Sequence, residues 1–247
     1  MEKTCNLFEN EGFQELSKGI MRPGGFKITE DGVRLAKLNL GMKVLDVGCG
    51  IGSTLQYLNK DFGIDGIGVD FSDSILENGR KVNPELDLRK GEGGQLDFPS
   101  TTFDAVLMEC TLSLFPNQSN ALLEAYRVLK VGGKLVISDF YLRDTKSQDC
   151  TSSEGFVPIG SCINGAFEKE ELIKVIEDIG YYIIEWEDRT KELKEFTAEI
   201  IMNCGSMENF WKSILPDGID SSKYTYDMSK AKLGYFLLAA KKKIEGY

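Results

Sequence analysis

Three glycines fall at alternate positions in the stretch Lys43–Leu58, "KVLDVGCGIGSTLQYL": Gly48, Gly50 and Gly52. Glycine is costly to order and contributes no side-chain packing, so such a cluster marks a backbone that something must approach closely. The chemistry open to it is binding of a phosphate, a dinucleotide or something else. A P-loop is excluded, because no Gly-Lys-Ser/Thr follows. A dinucleotide fingerprint needs glycine at the sixth position, where Ser53 stands instead. The acids nearby bear on the choice. Asp46 interrupts the apolar run before the glycines. Asp70 lies about 20 residues beyond them, the distance at which an acid meets ribose hydroxyls in a Rossmann-type site.

Composition narrows the chemistry further. The 247 residues include no histidine, which removes the commonest general acid/base and the commonest metal ligand together. What remains is carboxylates, tyrosines, cysteines or a cofactor that is already reactive. Six cysteines are scattered along the chain (Cys5, Cys49, Cys110, Cys150, Cys162 and Cys204) without a Cys-x-x-Cys pair. That scatter matches neither a zinc site nor a disulfide framework, so no metal is expected and the thiols are read as small buried hydrophobes. With 29 basic against 39 acidic residues, the net charge of -10 opposes nucleic-acid binding. The one basic cluster, Lys241 to Lys243, reads as the solubilising end of a final strand. The N-terminus carries Glu2, Lys3, Glu9 and Glu11 and no apolar core, and no apolar run approaches a membrane span. The expectation is a cytoplasmic protein with no membrane partner.

These residues need elements to hold them. Phe13, Leu16 and Ile20, joined by Phe8, are spaced for a short helix that "MRPGG" breaks. A second helix is expected to start at Thr29 as N-cap, with Glu30 and Asp31 in its first turn. From Lys43 strands and helices alternate. "KVLDVG" reads as a buried strand and "STLQYLNKDFG" as a helix closed by Gly63. "IDGIGVDF" is a strand, and a helix from about Asp73 to Val82 follows with Ser72 as N-cap. "DLRKGE" and "FDAVLMEC" are strands, the latter covered on both faces. The helix in "NQSNALLEAYRVLK" is expected to stop at "VGG", before the strand "KLVISDFY". This alternation implies parallel βαβ units and an open, doubly wound α/β sheet. The segment from Arg143 to Phe167 has no apolar period and reads as a long functional loop. A helix at about Lys169–Ile179, the strand "YYIIEW", one long helix from Thr190 to Trp211, a polar loop and the strand "LGYFLLAAKK" complete the chain.

Four segments, "VLDVGCGIGSTLQYL", "IGVDFSDSIL", "GEGGQLDFPSTTFDAVLM" and "EAYRVLKVGGKLVISDF", make the chain resemble the class I S-adenosylmethionine-dependent methyltransferases. The likeness is to their small-molecule branch, which includes quinone C-methyltransferases and arsenite methyltransferases, and it covers about Gly41 to Tyr141. It implies a Rossmann-like, mostly parallel seven-stranded sheet with the last strand antiparallel. One domain spans 1–247, with a helical cap at 1–40, a cofactor-binding core at 41–141 and a substrate side at 142–247. The cofactor implied is S-adenosyl-L-methionine, leaving S-adenosyl-L-homocysteine as product. The resemblance places Gly48, Cys49 and Gly50 under the methionine part, with Asp46 holding its amino group. Asp70 takes the ribose hydroxyls, Phe71 lies against adenine, Glu92 and Gly93 reach the adenine edge, and Glu109 flanks the methionine. Arg22 would fold over the cofactor and pair with its carboxylate. Val131 stands where many relatives have proline, but the two glycines of that turn are kept. Phe140 and Tyr141 are expected to wall the acceptor pocket. The acceptor is a small molecule, no catalytic residue is assigned, and the protein is a monomer or homodimer. Alternatives are an arsenite or thiol S-methyltransferase, with Cys110, Cys150 and Cys162 gathered at the pocket, and a non-catalytic cofactor-binding regulator.

Overall fold

The computed structural model describes residues 22–144, 162–215 and 218–243. The helix expected through Phe8, Phe13, Leu16 and Ile20, the thiols Cys5 and Cys150, and most of the Arg143–Phe167 segment lie outside the described residues.

Eight strands form one sheet: β1 Lys43–Val47, β2 Asp65–Asp70, β3 Asp87–Lys90, β4 Phe103–Glu109, β5 Leu129–Leu142, β6 Phe167–Glu168, β7 Tyr181–Asp188 and β8 Leu233–Lys242. The order is β3-β2-β1-β4-β5-β8-β7, with the two-residue β6 paired off β5. The seven-stranded path is therefore as expected, and β6 is an addition. β1 to β5 run parallel, whereas β8 is antiparallel to both β5 and β7. The order reverses between β1 and β4, and it is beyond the carboxyl ends of such neighbours that an open α/β sheet binds ligands.

The pleat of β4 explains why both faces are covered. Val106 and Met108 join one core with Leu45, Val47 and Ile137, while Ala105 and Leu107 join another with Val44 and Val136. Helix α1 Gly25–Ala36 covers the second core with Ile28, Val33 and Ala36, and α2 Ser53–Phe62 adds Leu58. Helix α3 Asp73–Val82 follows β2, capped by Ser72 as expected. Helices α4 Gln118–Val128 and α5 Lys169–Ile179 cover the first core through Leu122, Ala125, Leu172 and Ile176.

Several expectations need correction. Helix α1 starts after Gly24 in the left-handed conformation, so Thr29 is not its N-cap; its buried hydroxyl bonds Glu109 instead. Helix α4 ends at Val128 before "VGG" is reached, because Leu129 already pairs with Phe103 as the first residue of β5. The long helix is two, α6 Thr190–Cys204 and α7 Met207–Ile214, parted by Gly205 and by Ser206, whose hydroxyl caps α7. The polar loop before β8 contains α8 Ser221–Lys230, capped by Asp220. Lys242 is buried, and its ammonium donates to the carbonyls of Tyr126 and Leu129, so it closes the end of α4 and is no solvated tail. Phe140 and Tyr141 cannot form one wall, because the pleat sends Phe140 to the α1 side and Tyr141 into the opposite core.

Candidate functional site

The glycine loop leaves β1 at the switch point and is tied to its neighbour strand. The N–H groups of Gly48 and Cys49 both donate to the Val69 carbonyl, at 2.7 and 3.1 Å. Gly48 sits at φ 77, and a Cβ there would lie 2.0 Å from the Thr111 hydroxyl, so no other residue fits. Gly50 differs. At φ 55 a Cβ on it would meet nothing nearer than Ile75 at 4.0 Å, so its outer side is open to a ligand. Cys49 points the other way and packs with Leu55, Leu76 and Leu88 beneath the loop. Burial pushes its thiol pKa well up, which fits the small hydrophobe expected of it and no nucleophile.

Asp70 ends β2 with its carboxylate turned back to the loop. One oxygen accepts from Gly50 N–H at 3.0 Å and the other from Ser72 N–H at 3.0 Å. The pair of bonds fixes both the loop and the entry to α3. Phe71 follows with its ring 56 % exposed, unusual for a phenylalanine and suited to lie against a flat ligand. Glu92 is exposed, and its carbonyl accepts from Gln95 N–H in a short turn. Gly93 is buried under Phe115, whose ring a Cβ would meet at 2.5 Å.

Glu109, at the end of β4, is the hub of the site. Its carboxylate accepts from the hydroxyls of Thr29 at 2.9 Å and Thr54 at 3.0 Å, and it forms an ion pair with the Arg22 guanidinium at 3.0 Å. Arg22 also donates to Thr29 at 2.6 Å. Thus α1 and α2 are both pinned to the strand end by one carboxylate. Burial works against the Arg22 charge, but Glu109 foremost, then Tyr235, Cys110 and Asp46, raise its pKa above the ordinary value. Asp46 lies 3 % exposed in β1, and among the described residues no hydrogen-bond donor reaches its carboxylate. Burial, and then the charge of Glu109, push its pKa up to about 8, with Arg22 opposing and Asp70 adding to the rise.

The fold therefore brings Asp46, Gly48, Gly50, Asp70 and Glu109 to one strand-end region, with Arg22 buried on Glu109 rather than exposed in a turn. Sequence reading missed Thr29 and Thr54 as partners of Glu109. The only signal for Thr54 was a hydroxyl in the first turn of α2. Cys110 and Cys162, two of the three thiols that the thiol alternative gathered, do meet, and sequence reading missed that Tyr235 and Asp139 join them. The Cys110 sulfur lies 3.1 Å from the Tyr235 hydroxyl, Cys162 bonds the Cys110 carbonyl at 3.2 Å, and Asp139 stands beside both thiols. Among the described residues no helix is long and apolar enough to cross a membrane.

Residues 45–137 match a family described as a methyltransferase domain. A phosphoethanolamine N-methyltransferase of Arabidopsis thaliana is 27 % identical over 179 residues, which are 71 % of this chain and 36 % of that protein. A demethylmenaquinone methyltransferase of Listeria welshimeri is 31 % identical over 147 residues, 56 % of this chain and 62 % of that protein. The chain thus spans about a third of the plant relatives' length, 36 % for the one above. Among solved structures, the Haemonchus contortus phosphoethanolamine N-methyltransferase 2 in complex with S-adenosyl-L-methionine aligns over 92 % of this chain and 54 % of its own. Its TM-score is 0.71 at 20 % identity. The [4+2]-cyclase SpnF aligns over 88 % of this chain and 80 % of its own, with a TM-score of 0.69 at 21 % identity.

Proposed function

We propose that this chain, a member of the class I S-adenosylmethionine-dependent methyltransferases of the small-molecule branch, moves a methyl group from that cofactor to a small-molecule acceptor. The observation that carries the reading is the charge around the glycine loop. Asp46, Asp70 and Glu109 converge there, with Arg22 as the cation paired to Glu109, and burial together with the Glu109 charge raises the Asp46 pKa to about 8. Such a recess repels a pyrophosphate and attracts a cation. S-adenosyl-L-methionine has a sulfonium and an ammonium on its amino-acid tail, so its charge complements this loop where a dinucleotide's does not.

On this reading Asp46 receives the cofactor's ammonium, and Gly48 and Gly50 let the amino-acid tail pass close to the backbone. Asp70 accepts the ribose hydroxyls, and Phe71 lies on the adenine with Glu92 and Gly93 at its edge. Glu109 flanks the reacting methyl and holds Arg22 where the cofactor carboxylate can meet it. When bound, the cofactor would supply an electrophilic methyl on its sulfonium, with the neutral thioether S-adenosyl-L-homocysteine as leaving group. The protein's share is to align acceptor, methyl and sulfur in a dry site, which is catalysis by proximity. A histidine-free chain can do this where the acceptor is already soft or ionised.

Transfer to sulfur, or to arsenic held by thiols, is the second reading, and the observation favouring it is the buried pair Cys110 and Cys162 beside the end of β4. It predicts that Cys110→Ser or Cys162→Ser abolishes turnover while sparing cofactor affinity. Incubation with methyl-labelled cofactor and fractionated metabolites tests the main reading. A labelled small product supports it. Cofactor binding with no labelled product from any fraction would favour the non-catalytic regulator.

A further inference from the structure

At the ends of β4 and β5, beside the core that contains Cys110, Cys162, Phe140 and Tyr235, three polar ligand atoms come together. The sulfurs of Cys110 and Cys162 and a carboxylate oxygen of Asp139 all lie within 4.8 Å of one another. Each is held by a different element. Cys110 follows β4 at φ 53, a left-handed conformation that non-glycine residues adopt at a cost and that active sites and ligand clamps retain. Asp139 lies in β5, and Cys162 comes just before β6.

The supporting bonds orient the set as a ligand shell requires. Asp139 accepts from Ser113 N–H at 3.0 Å, Ser113 hydroxyl at 2.8 Å and Phe140 N–H at 2.8 Å. A carboxylate offers about four acceptor sites, so one remains for a cation. Cys110 N–H donates to the Ser138 carbonyl at 2.7 Å, and the Tyr235 hydroxyl bridges the Cys110 sulfur and Ser138 hydroxyl at 3.1 Å each. Two thiols and a wholly buried carboxylate are a poor way to fill an apolar interior, but they match a soft, tetrahedral ion.

We propose that Cys110, Cys162 and Asp139 form a binding site for a thiophilic divalent cation, Zn2+, at the ends of β4 and β5. A tetrahedral Zn2+ with bonds of about 2.3 Å to sulfur needs its sulfurs roughly 3.8 Å apart, so small side-chain shifts close the site. Binding breaks two sulfur–hydrogen bonds, both protons leave to solvent, and each sulfur's electron pair enters a bond to the ion. No oxidation occurs. Three protein ligands leave one position open beside the Tyr235 hydroxyl, the arrangement of zinc sites that accept a further ligand. The inference stands apart from the methyl-transfer reading, because metal binding is measured without cofactor.

The test uses the full chain, purified reduced, stripped with a chelator, reloaded with Zn2+ and analysed for metal after gel filtration. Titration with Cd2+ then reads sulfur ligation as an ultraviolet charge-transfer band. The expected result is one ion per chain. The band should be lost in Cys110→Ser and in Cys162→Ser, kept in Cys204→Ser, and its affinity should fall at least about tenfold in Asp139→Asn. Should Cys110→Ser fail to fold, Cys162→Ser decides. No ion retained by the wild type, or a band that survives both serine variants, would overturn the proposal.

Discussion

The Arg22 guanidinium stands 3.0 Å from the Glu109 carboxylate, and both side chains are at most 10 % exposed. The pair joins the turn before α1 to the end of β4, beside the glycine loop. Removing one partner strands a buried charge. Glu109→Ala should therefore cost about 3–5 kcal/mol in chemical denaturation. A double variant, Arg22→Met with Glu109→Leu, should recover much of that stability yet bind S-adenosyl-L-homocysteine weakly. Recovered stability with undiminished binding would show that the pair serves the fold alone.

If Asp46 receives the cofactor's ammonium as proposed, binding should depend on pH. Its pKa of about 8 in the folded chain stands above the ordinary 3.8, chiefly through burial and Glu109. Between those values the folded chain holds a proton that the unfolded chain has lost. Its contribution to stability is thus present below 3.8 and fades as pH rises through about 8. A cationic ligand reverses the preference and expels the proton. Calorimetry near pH 7 in buffers of different ionisation enthalpy should show protons released on cofactor binding, and Asp46→Asn should remove the buffer dependence. Equal heats in all buffers for the wild type would contradict the assignment.

Gly48 and Gly50 should respond differently to alanine. Gly48→Ala drives a Cβ into Thr111 and should lower stability and binding together. Gly50→Ala meets no protein atom closer than 4.0 Å, so its stability cost is the left-handed backbone alone, about 1–2 kcal/mol. Its loss of cofactor affinity should exceed that, because the methyl occupies the ligand's path. Equal affinity in Gly50→Ala and wild type would move the ligand elsewhere.

Asp70→Ala removes the proposed ribose acceptor and should weaken S-adenosyl-L-homocysteine binding at least about tenfold, the scale of one lost hydrogen bond to a charged group. Asp70→Asn, which keeps one oxygen for Gly50 or Ser72, should retain the fold and lose most of the same affinity. Undiminished binding in both variants would refute the ribose role.

The strands and helices from Lys43 to Val128 were legible because local signals agreed with the fold. Apolar runs marked strands, Ser72 capped α3, and Gly63 closed α2. Errors arose where tertiary contacts overrode local chemistry. Thr29 has the type of an N-cap, but Glu109, 80 positions away, claims its hydroxyl. Lys242 belongs to a run that reads as solvated, and two carbonyls of the α4 end draw it inward. The break at Gly205 and Ser206 carried its own signal, a glycine followed by a capping serine, within an apolar pattern that ran on across it. Helix α8, SSKYTYDMSK, has no regular apolar stripe, and six of its ten residues are serine, tyrosine or threonine, middling helix formers, so its Asp220 cap was the clearest local signal.

The same division holds at the site. Asp46, Gly48, Gly50 and Asp70 follow one another at fixed distances along consecutive strand ends, so spacing finds them. Thr29, Thr54 and Arg22 reach Glu109 only through packing of two helices. Cys110, Asp139 and Cys162 lie on separate elements, and no interval in the chain betrays that they meet. The expectation that scattered cysteines bind no metal rested on sequence spacing alone, and spacing is blind to such a set.

On the proposed function, the acid-rimmed glycine loop receives S-adenosyl-L-methionine. Titration calorimetry of the full chain with S-adenosyl-L-methionine and with S-adenosyl-L-homocysteine tests it most directly. The prediction is saturable one-to-one binding of both, weakened by Asp70→Ala and by Gly50→Ala. No heat and no thermal stabilisation at ligand concentrations of about 1 mM, where even affinities near -4 kcal/mol register, would contradict it.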